Sequence, residues 1–252
     1  MKTIIKAASI NKSFSDDGEK RAVIKNVSLS IEEGEFVSVM GPSGSGKSTL
    51  LFCISGMERI DSGSIQFGEI ELNSADDKKL SELRRTDMGF VFQQPSLLKN
   101  LNLLDNILLT AMRTDRKNAV GHISRAKELM KRTGILELAE RDITKVSGGQ
   151  LQRAGICRAL MNQPKIIFGD EPTGALNSVA AQEIMELFTE INAEGTAVLL
   201  VTHDAKIAAR TDRVLYMKDG EIISERRFSK PGKADSAGRI NLLLEDMRLL
   251  EI

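Results

Sequence analysis

Several residue types that mark particular protein classes are rare in this sequence of 252 residues. It contains no tryptophan, one tyrosine and two cysteines, Cys53 and Cys157. The cysteines lack the paired spacing of a zinc site, and nothing in the sequence indicates a secreted protein, so we expect two buried, reduced thiols. The only histidines are His122 and His203. A metal site built from several histidines is therefore disfavoured.

Long apolar runs and an excess of one charge are also absent. No apolar stretch approaches the roughly 18 residues of a membrane-spanning helix, and the start of the chain lacks the apolar core and cleavage site of a signal peptide. The 35 basic and 35 acidic residues cancel, which argues against a dedicated nucleic-acid-binding protein. With 41% hydrophobic and 28% charged residues, the composition is that of a globular protein. We expect a cytoplasmic protein without a nucleic-acid partner.

The order of the predicted elements favours an α/β fold. In the first third, β-branched and aromatic residues predict strands at 4–10, 23–31 and 36–40. Apolar residues at helical spacing predict helices at 97–112 and 124–139. The last third alternates helices, such as 180–192, with predicted strands at 165–168, 196–201 and 214–217. Strands that alternate with helices imply a parallel sheet covered on both faces, with the mostly helical middle as an insert.

The sequence changes character after Ser224. Residues 226–233 are polar and contain proline and glycine, as linkers do. Beyond them, an apolar residue recurs every three or four positions, at Ile240, Leu243, Met247 and Leu250. That spacing predicts a helix with one apolar face, which could dock on its own domain or bind a partner.

The first motif that carries chemistry runs from Gly41 to Ser48 and fits the phosphate-loop pattern Gly-x4-Gly-Lys-Ser. It lies between the predicted strand at 36–40 and a predicted helix at 48–54. Its glycines let backbone N–H groups surround phosphate oxygens at the positive end of a helix. Lys47 would supply a charge to the outer phosphates, and Ser48 an oxygen ligand for Mg²⁺. The candidate nucleotide-binding residues are Gly41, Ser43, Gly44, Ser45, Gly46, Lys47, Ser48 and Thr49.

The second motif is an apolar run from residue 165 that ends in Asp170 and Glu171. A parallel strand delivers its last residues to the edge of the sheet where ligands bind. There, Asp170 can hold Mg²⁺ through water, and Glu171 can orient or deprotonate an attacking water. Alone, a strand that ends in two acidic residues is weak evidence for a nucleotide-hydrolysing site, but together with the phosphate loop it is strong evidence for one.

The third motif consists of Ser147, Gly148, Gly149 and Gln150, directly before a predicted helix at 151–161. It offers a hydroxyl and backbone N–H groups as a second anion site, although by itself the run also fits a turn with a helix cap. Asp170 follows Gln150 by 20 residues. The three motifs in this order make residues 1–224 closely resemble the ATP-binding cassette (ABC) transporter ATPases.

This resemblance implies a fold and a domain organisation. The expected fold is an α/β P-loop NTPase core with a parallel sheet, an N-terminal antiparallel β subdomain and a helical insert. The ATPase domain would span residues 1–225, with the helical subdomain at about 94–160. A linker and an amphipathic helix would follow at 226–252.

The resemblance also assigns roles to further residues. Phe14 matches the aromatic side chain that stacks on adenine, and His203 the histidine near the γ-phosphate. Gln93 matches the glutamine that touches Mg²⁺ and water and links to the transporter subunit. The implied cofactors are ATP and Mg²⁺, with Ser48, Gln93 and Asp170 as metal ligands and Glu171, His203 and Gln93 as catalytic residues.

In such proteins two cassettes enclose ATP between the phosphate loop of one copy and the Ser-Gly-Gly-Gln run of the other. The resemblance therefore implies a homodimer in the ATP-bound state and a transmembrane permease subunit as partner. The protein would lie at the cytoplasmic face of the cell membrane and contact the membrane only through that permease. The leucine-rich part of residues 93–106 is the candidate socket for a short permease helix.

Two positions depart from the family pattern. Asn177 stands where most cassettes carry aspartate, so a cross-dimer role of this loop loses a negative charge, and Val146 stands where leucine is usual.

A soluble cassette acting on DNA or ribosomes is the main alternative, but such proteins carry long coiled coils or two cassettes per chain. A catalytically inactive regulatory cassette conflicts with four intact residues: Lys47, Asp170, Glu171 and His203.

The branch within the family is indicated by similarity alone. Residues 90–94 and 172–178 resemble the ATPases of lipoprotein release, macrolide export and peptide-antibiotic resistance. The Ala-Leu-Asn-Ser form at 175–178, with residues 201–210, is most similar to the bacitracin and lantibiotic (nisin-type) resistance ATPases. No residue of a cassette touches the cargo, so cargo and transport direction do not follow from the sequence.

Overall fold

The computed structural model describes residues 2–16, 19–228 and 236–252. The chain folds into two compact units, one formed by residues 1–80 and 197–252 and the other by residues 81–196. Helix α2, Asp77–Thr86, contains the first boundary between them. Within the described ranges no helix is both long enough and apolar enough to cross a membrane.

In the first unit, an antiparallel sheet is formed by the beginning of the chain. Strand β1, Thr3–Asp16, pairs antiparallel with β2, Glu19–Glu32, and with β4, Ser62–Phe67. The short β5, Ile70–Glu71, completes the order β2-β1-β4-β5. Buried and exposed residues alternate along β4, as expected where one sheet face covers a core. This sheet confirms the antiparallel β subdomain.

The same unit contains a second group of strands. Strand β3, Phe36–Met40, pairs parallel with β8, Ala197–Thr202, and with β9, Arg213–Lys218. Every residue of β3 and β8 is buried, which is typical of parallel strands covered on both faces. Helix α1, Lys47–Ile54, follows β3, and the short α7, Ala205–Ala208, follows β8. The predicted parallel sheet is confirmed.

The end of the chain forms a hairpin strand and a helix. Strand β10, Glu221–Arg227, pairs antiparallel with β9, so the linker predicted from residue 226 is wrong at its first two positions. Alternating exposure along β10 made this edge strand look like a polar linker. Residues 229–235 of the predicted linker lie outside the described residues. Helix α8, Ser236–Leu249, docks on its own unit through the buried Leu243, the first of the two alternatives.

The second unit combines two strands with four longer helices. Strands β6, Met88–Phe92, and β7, Ile166–Asp170, are parallel neighbours. Their apolar residues form part of the core, with the Phe90 ring stacked on Phe168. The helices are α3, Leu103–Thr114; α4, Ala119–Arg132; α5, Gly148–Leu160; and α6, Ser178–Ala193. The predicted insert at about 94–160 lies within this unit, in which α3, α4 and α5 pack on one another.

Two predicted helix boundaries are wrong. The helix predicted at 97–112 begins only at Leu103, because the Asn102 side chain accepts a hydrogen bond from Asp105 N and caps it. The helix predicted at 124–139 spans Ala119–Arg132 instead and is followed by Gly134 at φ +68°. Glycine in this left-handed conformation is a usual helix stop.

Candidate functional site

The phosphate loop connects β3 to α1 in the first unit, and two of its glycines are required by the backbone. Gly44 and Gly46 have φ values of +80° and +100°, a region that other residues enter only at a cost. A Cβ atom on Gly46 would lie 2.8 Å from the Val23 carbonyl oxygen. On Gly41 it would lie 2.0 Å from the Met217 carbonyl oxygen. The loop therefore runs too close to neighbouring backbone for side chains at these positions.

Lys47 holds this loop in its turned shape. Its buried ammonium group donates to the carbonyl oxygens of Gly41, at 2.9 Å, and Pro42, at 2.8 Å. The next residues, Ser48 and Thr49, lie in the first turn of α1 and are half-buried. The charge of Lys47 is thereby fixed at the centre of the loop, where phosphate oxygens would meet it.

The start of α1 is suited to an anion. Its N-cap is Gly46, no side chain caps it, and its first turn contains no acidic residue. The first backbone N–H groups of a helix lack intrahelical partners and carry a partial positive charge. The buried hydroxyl of Ser45 also makes no hydrogen bond within the described part of the chain. An uncapped helix end beside a buried unpaired hydroxyl fits a phosphate group.

His203 lies at the same sheet edge as the phosphate loop. Strands β3 and β8 are parallel neighbours, and Met40 faces Thr202 in their register. The loop leaves the sheet directly after Met40 and His203 directly after Thr202. His203 is exposed, and it is Asp204 that caps α7 by accepting from Lys206 N. The structure thus places His203 where the sequence predicted it, at the carboxyl end of a strand.

Phe14 lies on β1 with a partly exposed ring. Its exposed fraction is 42%, enough for a flat base to stack on one face. The ammonium group of Lys12 lies 4.9 Å from the ring centroid and also donates to the Glu58 carboxylate. Such a cation supports one face of the ring through a cation–π contact.

In the second unit, the predicted catalytic residues converge at the ends of β6 and β7. Phe92 faces Asp170 in the parallel register, so Gln93 follows β6 at the edge where β7 ends in Asp170 and Glu171. A Cβ atom added to Gly174 would lie 2.8 Å from Gln93 Nε2 and 3.2 Å from Glu171 Oε2. The Gln93 amide and the Glu171 carboxylate therefore lie over the same glycine. Glu171 itself has φ +45°, an uncommon conformation for a residue with a side chain.

The Ser-Gly-Gly-Gln run forms the N-terminus of α5 and is capped by its own side chains. Ser147 Oγ accepts from Gln150 N at 3.3 Å, and Gln150 Oε1 accepts from Ser147 N at 2.9 Å. This reciprocal pair is a capping box. Of the alternatives open for this run, the helix cap is therefore present, and the N–H groups of Gly148 and Gly149 are the ones left for an anion.

A pocket of about 440 Å³ opens beside this run. Gly134, Arg153, Leu176, Asn177 and Glu183 line it together with the run itself. Arg153 is fixed there by an ion pair to Glu183, with 2.7 Å between the charged atoms, and by donation to the Thr133 carbonyl oxygen. The pocket thus combines the backbone N–H groups of the glycine run with an arginine side chain that is fixed by its own partners.

Asn177 departs from the family pattern but still caps helix α6. Its side-chain oxygen accepts from Ala180 N at 2.9 Å. Asparagine and aspartate are both good N-cap residues, so the helix start is retained while the negative charge is absent.

The predicted metal ligands offer the chemistry that Mg²⁺ prefers. Ser48, Gln93 and Asp170 provide hydroxyl, amide and carboxylate oxygens. In the described ranges, no group of three or more His, Cys, Asp or Glu side chains forms a complete metal cage. Mg²⁺ is usually held by one or two protein oxygens plus substrate phosphates and water, so this sparse donor set fits a metal that arrives with a nucleotide.

Two features of the site were missed by the sequence reasoning. In the sequence Gly174 is only one position of the pattern at 172–178, because its closeness to Gln93 and Glu171 depends on the adjacency of β6 and β7. The sequence gives only one indication that Arg153 belongs to the site, which is its position on α5 three residues after Gln150.

Comparison with known proteins gives consistent matches. A family model described as ABC transporter matches residues 24–174. The chain is 42% identical over 230 residues to the uncharacterized ABC transporter ATP-binding protein MJ0796 of Methanocaldococcus jannaschii, covering 89% of this chain and 97% of that protein. It is 38% identical over 219 residues to the uncharacterized ABC transporter ATP-binding protein YvrO of Bacillus subtilis, covering 87% and 95%.

Longer relatives contain a permease part. The chain is 40% identical over 225 residues to the probable export ATP-binding/permease protein MacB of Pseudomonas entomophila, which covers 89% of this chain but 33% of that protein. The chain thus spans about a third of the length of such relatives. Among solved structures, a dimeric post-hydrolysis state of MJ0796 bound to ADP and Pi matches with a TM-score of 0.84 and 38% identity, covering 90% of this chain and all of that one.

Proposed function

Because the chain belongs to the ABC transporter family and carries its ATPase domain, we propose that it hydrolyses ATP to ADP and phosphate to drive a transmembrane permease. Lys47 and the N–H groups at the start of α1 bind the phosphates. Glu171 orients or deprotonates the attacking water, and His203 contacts the γ-phosphate. Mg²⁺, when bound through Ser48, Gln93 and Asp170, would neutralise charge on the phosphates.

One observation carries this proposal. The Gln93 amide and the Glu171 carboxylate both lie close to Gly174, so the proposed nucleotide-sensing group and the proposed general base lie beside the same point. A general base must lie within hydrogen-bond reach of the proton that it removes. Two such groups at the carboxyl ends of adjacent parallel strands favour catalysis over nucleotide binding alone.

The experiment is the substitution Glu171→Gln. The amide keeps the size of the side chain but cannot accept a proton, so we expect turnover to fall by roughly 10² to 10⁴ fold while ATP affinity is retained. The variant should also form a longer-lived dimer with ATP, measured by size-exclusion chromatography. Wild-type turnover in this variant would overturn the assignment of Glu171.

We also propose that two copies enclose ATP. The pocket beside Ser147 would receive the phosphates held by the phosphate loop of a second copy. The solved MJ0796 cassette is described as dimeric with ADP and Pi, and the glycines at the start of α5 leave N–H groups that a phosphate can use. The dimer would form with ATP and separate once ADP and phosphate leave.

The permease partner would dock on the leucine-rich segment at 97–104. Leu103 and Leu104 belong to the core, but Leu98 is 49% exposed. The segment is fixed by the buried Asn106, which accepts from Leu98 N and donates to the Leu98 and Leu101 carbonyl oxygens. A rigid loop that presents an exposed leucine suits a short helix of a partner. Through it, the protein would lie at the cytoplasmic face of the membrane.

A charged substitution tests this docking surface. Leu98→Glu should abolish co-purification with the permease while the isolated subunit still hydrolyses ATP, because Leu98 lies outside the catalytic residues. Leu136→Glu, at a leucine of 37% exposure elsewhere in the unit, is the matched control and should co-purify normally. If the wild-type chain binds no membrane protein, a soluble cassette ATPase takes the place of the transporter proposal.

For the cargo, we propose antimicrobial peptides of the bacitracin or nisin type, on the similarity of residues 175–178 and 201–210. Macrolide export is the second candidate, since several relatives near 40% identity are named macrolide export proteins, and lipoprotein release belongs to the same branch. Cells lacking the gene should become sensitive to bacitracin or nisin. Sensitivity to macrolides alone would favour the second candidate.

A further inference from the structure

We propose that Arg239 on α8 is a positioning residue for ATP hydrolysis, which holds α7 and thereby His203 in place. The inference rests on the proposed role of His203. It assigns a function to the C-terminal helix, in which the sequence showed only an apolar face.

The segment after His203 is too short to hold its own shape. Helix α7 has four residues, Ala205–Ala208, and a single helical turn is unstable in water without packing. Its packing partners come from α8 and from the sheet strands β3, β8 and β9. Leu243 of α8 is fully buried in one cluster with Tyr216, Ala205, Ala208 and Ala209. Alanine side chains allow the two helices to approach closely, so a shift of α8 would move α7.

Arg239 connects α8 to the end of α7 by hydrogen bonds. Its side chain is buried, with an exposed fraction of 4%. The guanidinium Nη1 donates to the carbonyl oxygens of Ala209, at 3.3 Å, and Thr211, at 3.4 Å. Carbonyl groups at a helix C-terminus lack intrahelical partners and attract positive charge. The Phe228 ring covers the guanidinium at 4.6 Å, which shields it from water.

A second attachment prevents α8 from sliding. Asp246, seven residues after Arg239 and thus two turns along the helix, accepts from the Tyr216 hydroxyl at 2.7 Å and from the Arg226 guanidinium. The Arg226 guanidinium holds the pKa of the Asp246 carboxyl below its usual range. Helix α8 is therefore tied to α7 by Arg239 and to β9 and β10 by Asp246.

His203 lies between two fixed points. On one side Thr202 ends the buried strand β8, and on the other Asp204 begins α7. The imidazole can therefore keep a constant position only while α7 does. Displacement of a catalytic group by about 1 Å can lower a rate by roughly a hundredfold. Ground-state binding of ATP depends mainly on the phosphate loop, whereas the hydrogen bonds described for Arg239 go to the carbonyl oxygens of Ala209 and Thr211.

The experiment compares full-length Arg239→Met with Arg248→Met, a matched control because Arg248 is exposed on the same helix. We expect Arg239→Met to lower kcat by about tenfold with KM and Kd for ATP within twofold, and to speed hydrogen exchange at 205–211. Arg239→Lys should restore part of kcat, since an ammonium group can donate to the same carbonyl oxygens. Arg248→Met should change neither kcat nor exchange.

Asp246→Asn provides a second variant in case Arg239→Met does not fold, and it should lower kcat in the same way but less. Unchanged kcat in these variants, or a loss of kcat together with ATP affinity and faster exchange throughout the chain, would overturn the proposal. His203→Ala separates this from the proposed function. If His203→Ala keeps wild-type turnover, the proposed role of His203 is wrong. If His203→Ala is inactive while Arg239→Met has normal turnover, only the positioning role of Arg239 is wrong.

Discussion

Helices α1 and α5 both begin after a run of glycine and serine, but their N-termini satisfy backbone N–H groups differently. The start of α1 has Gly46 as N-cap and no capping side chain. The start of α5 is closed by the reciprocal hydrogen bonds of Ser147 and Gln150. An external anion can therefore take the place of a cap at the start of α1, whereas α5 already has a side-chain cap of its own.

The two helix ends would therefore contribute to nucleotide affinity in different ways. In the proposed function, an open helix end with a fixed lysine would give one copy of the chain a phosphate site of its own. A capped helix end adds only the N–H groups of its glycines, so it contributes when a phosphate is presented to it. We infer that α1 determines the ATP affinity of the monomer and α5 the stability of the ATP-bound dimer.

We expect the largest effect from a substitution of Gly46, the N-cap of α1. Gly46→Ala places a Cβ atom 2.8 Å from the Val23 carbonyl oxygen at φ +100°, so the loop must change shape. We expect the ATP affinity of the monomer to fall by about a hundredfold, or about 2.7 kcal/mol, measured with a fluorescent nucleotide. In Gly149→Ala, the Cβ atom would meet only Ala180 Cβ at 3.4 Å, and monomer affinity should not change. Equal losses in both variants would contradict the division of roles.

Ser147→Asp tests the capped N-terminus of α5. Aspartate is a good N-cap residue, so the stability of the monomer should be retained. Its negative charge would repel an incoming phosphate by about 2 kcal/mol, which weakens ATP-dependent dimerisation by about thirtyfold. Analytical ultracentrifugation of this variant in the Glu171→Gln background measures the dimer. Normal dimerisation would show that no phosphate approaches α5.

Phe14→Ala tests the proposed stacking of the nucleotide base on the Phe14 ring. Stacking reads a flat face rather than a hydrogen-bond pattern, and loss of a base–aromatic stack costs about 1 to 3 kcal/mol. We expect ATP and GTP affinities to fall alike, by about tenfold. Selectivity of the wild-type chain for ATP over GTP above roughly a hundredfold would mean that the base edges are read by other residues.

Ser147→Ala isolates the cap from the charge. Removing one half of the capping box should lower the free energy of unfolding by about 1 kcal/mol, measured by urea denaturation without nucleotide. Ser43→Ala, at an exposed serine before α1 that does not cap it, should not change stability. A loss of stability only with Ser43→Ala would reverse the comparison.

The last comparison concerns the thiols, since α1 contains Cys53 and α5 contains Cys157. Burial raises the pKa of Cys53 to about 12 and that of Cys157 to about 11, against 9.0 for an ordinary thiol. Between these values the unfolded chain has released the thiol protons and the folded chain has not, so stability falls as pH rises above about 9. Cys53→Ala should flatten the fall, measured by denaturation at pH 8 to 10. A fall of the same steepness in this variant would exclude Cys53 as a cause.

Local sequence signals predicted the phosphate-binding half well. The strand predicted at 36–40 is observed as Phe36–Met40, and the helix predicted from 48 begins one residue earlier, because glycines and an apolar run act over a few positions. Errors occurred where distant contacts decide. Leu97 to Asn102 fit a helix by periodicity, but the buried Asn106 holds this segment as a loop.

The site shows the same division. The Ser-x-x-Gln spacing at 147–150 is itself a capping-box signal, so the closed start of α5 was readable from the sequence. The meeting of Gln93 and Glu171 over Gly174 was not, because it depends on the pairing of β6 with β7, strands separated by more than seventy residues. The attachment of Arg239 to α7 likewise depends on where a C-terminal helix docks.

The left-handed backbone of Glu171 also has a consequence for the stability of the protein. A residue with a side chain at φ +45° costs the fold about 1 kcal/mol or more relative to glycine or asparagine. Glu171→Gly should therefore raise the melting temperature while it removes the carboxylate. Selection for stability alone would discard this glutamate, which agrees with the catalytic role that we propose for it.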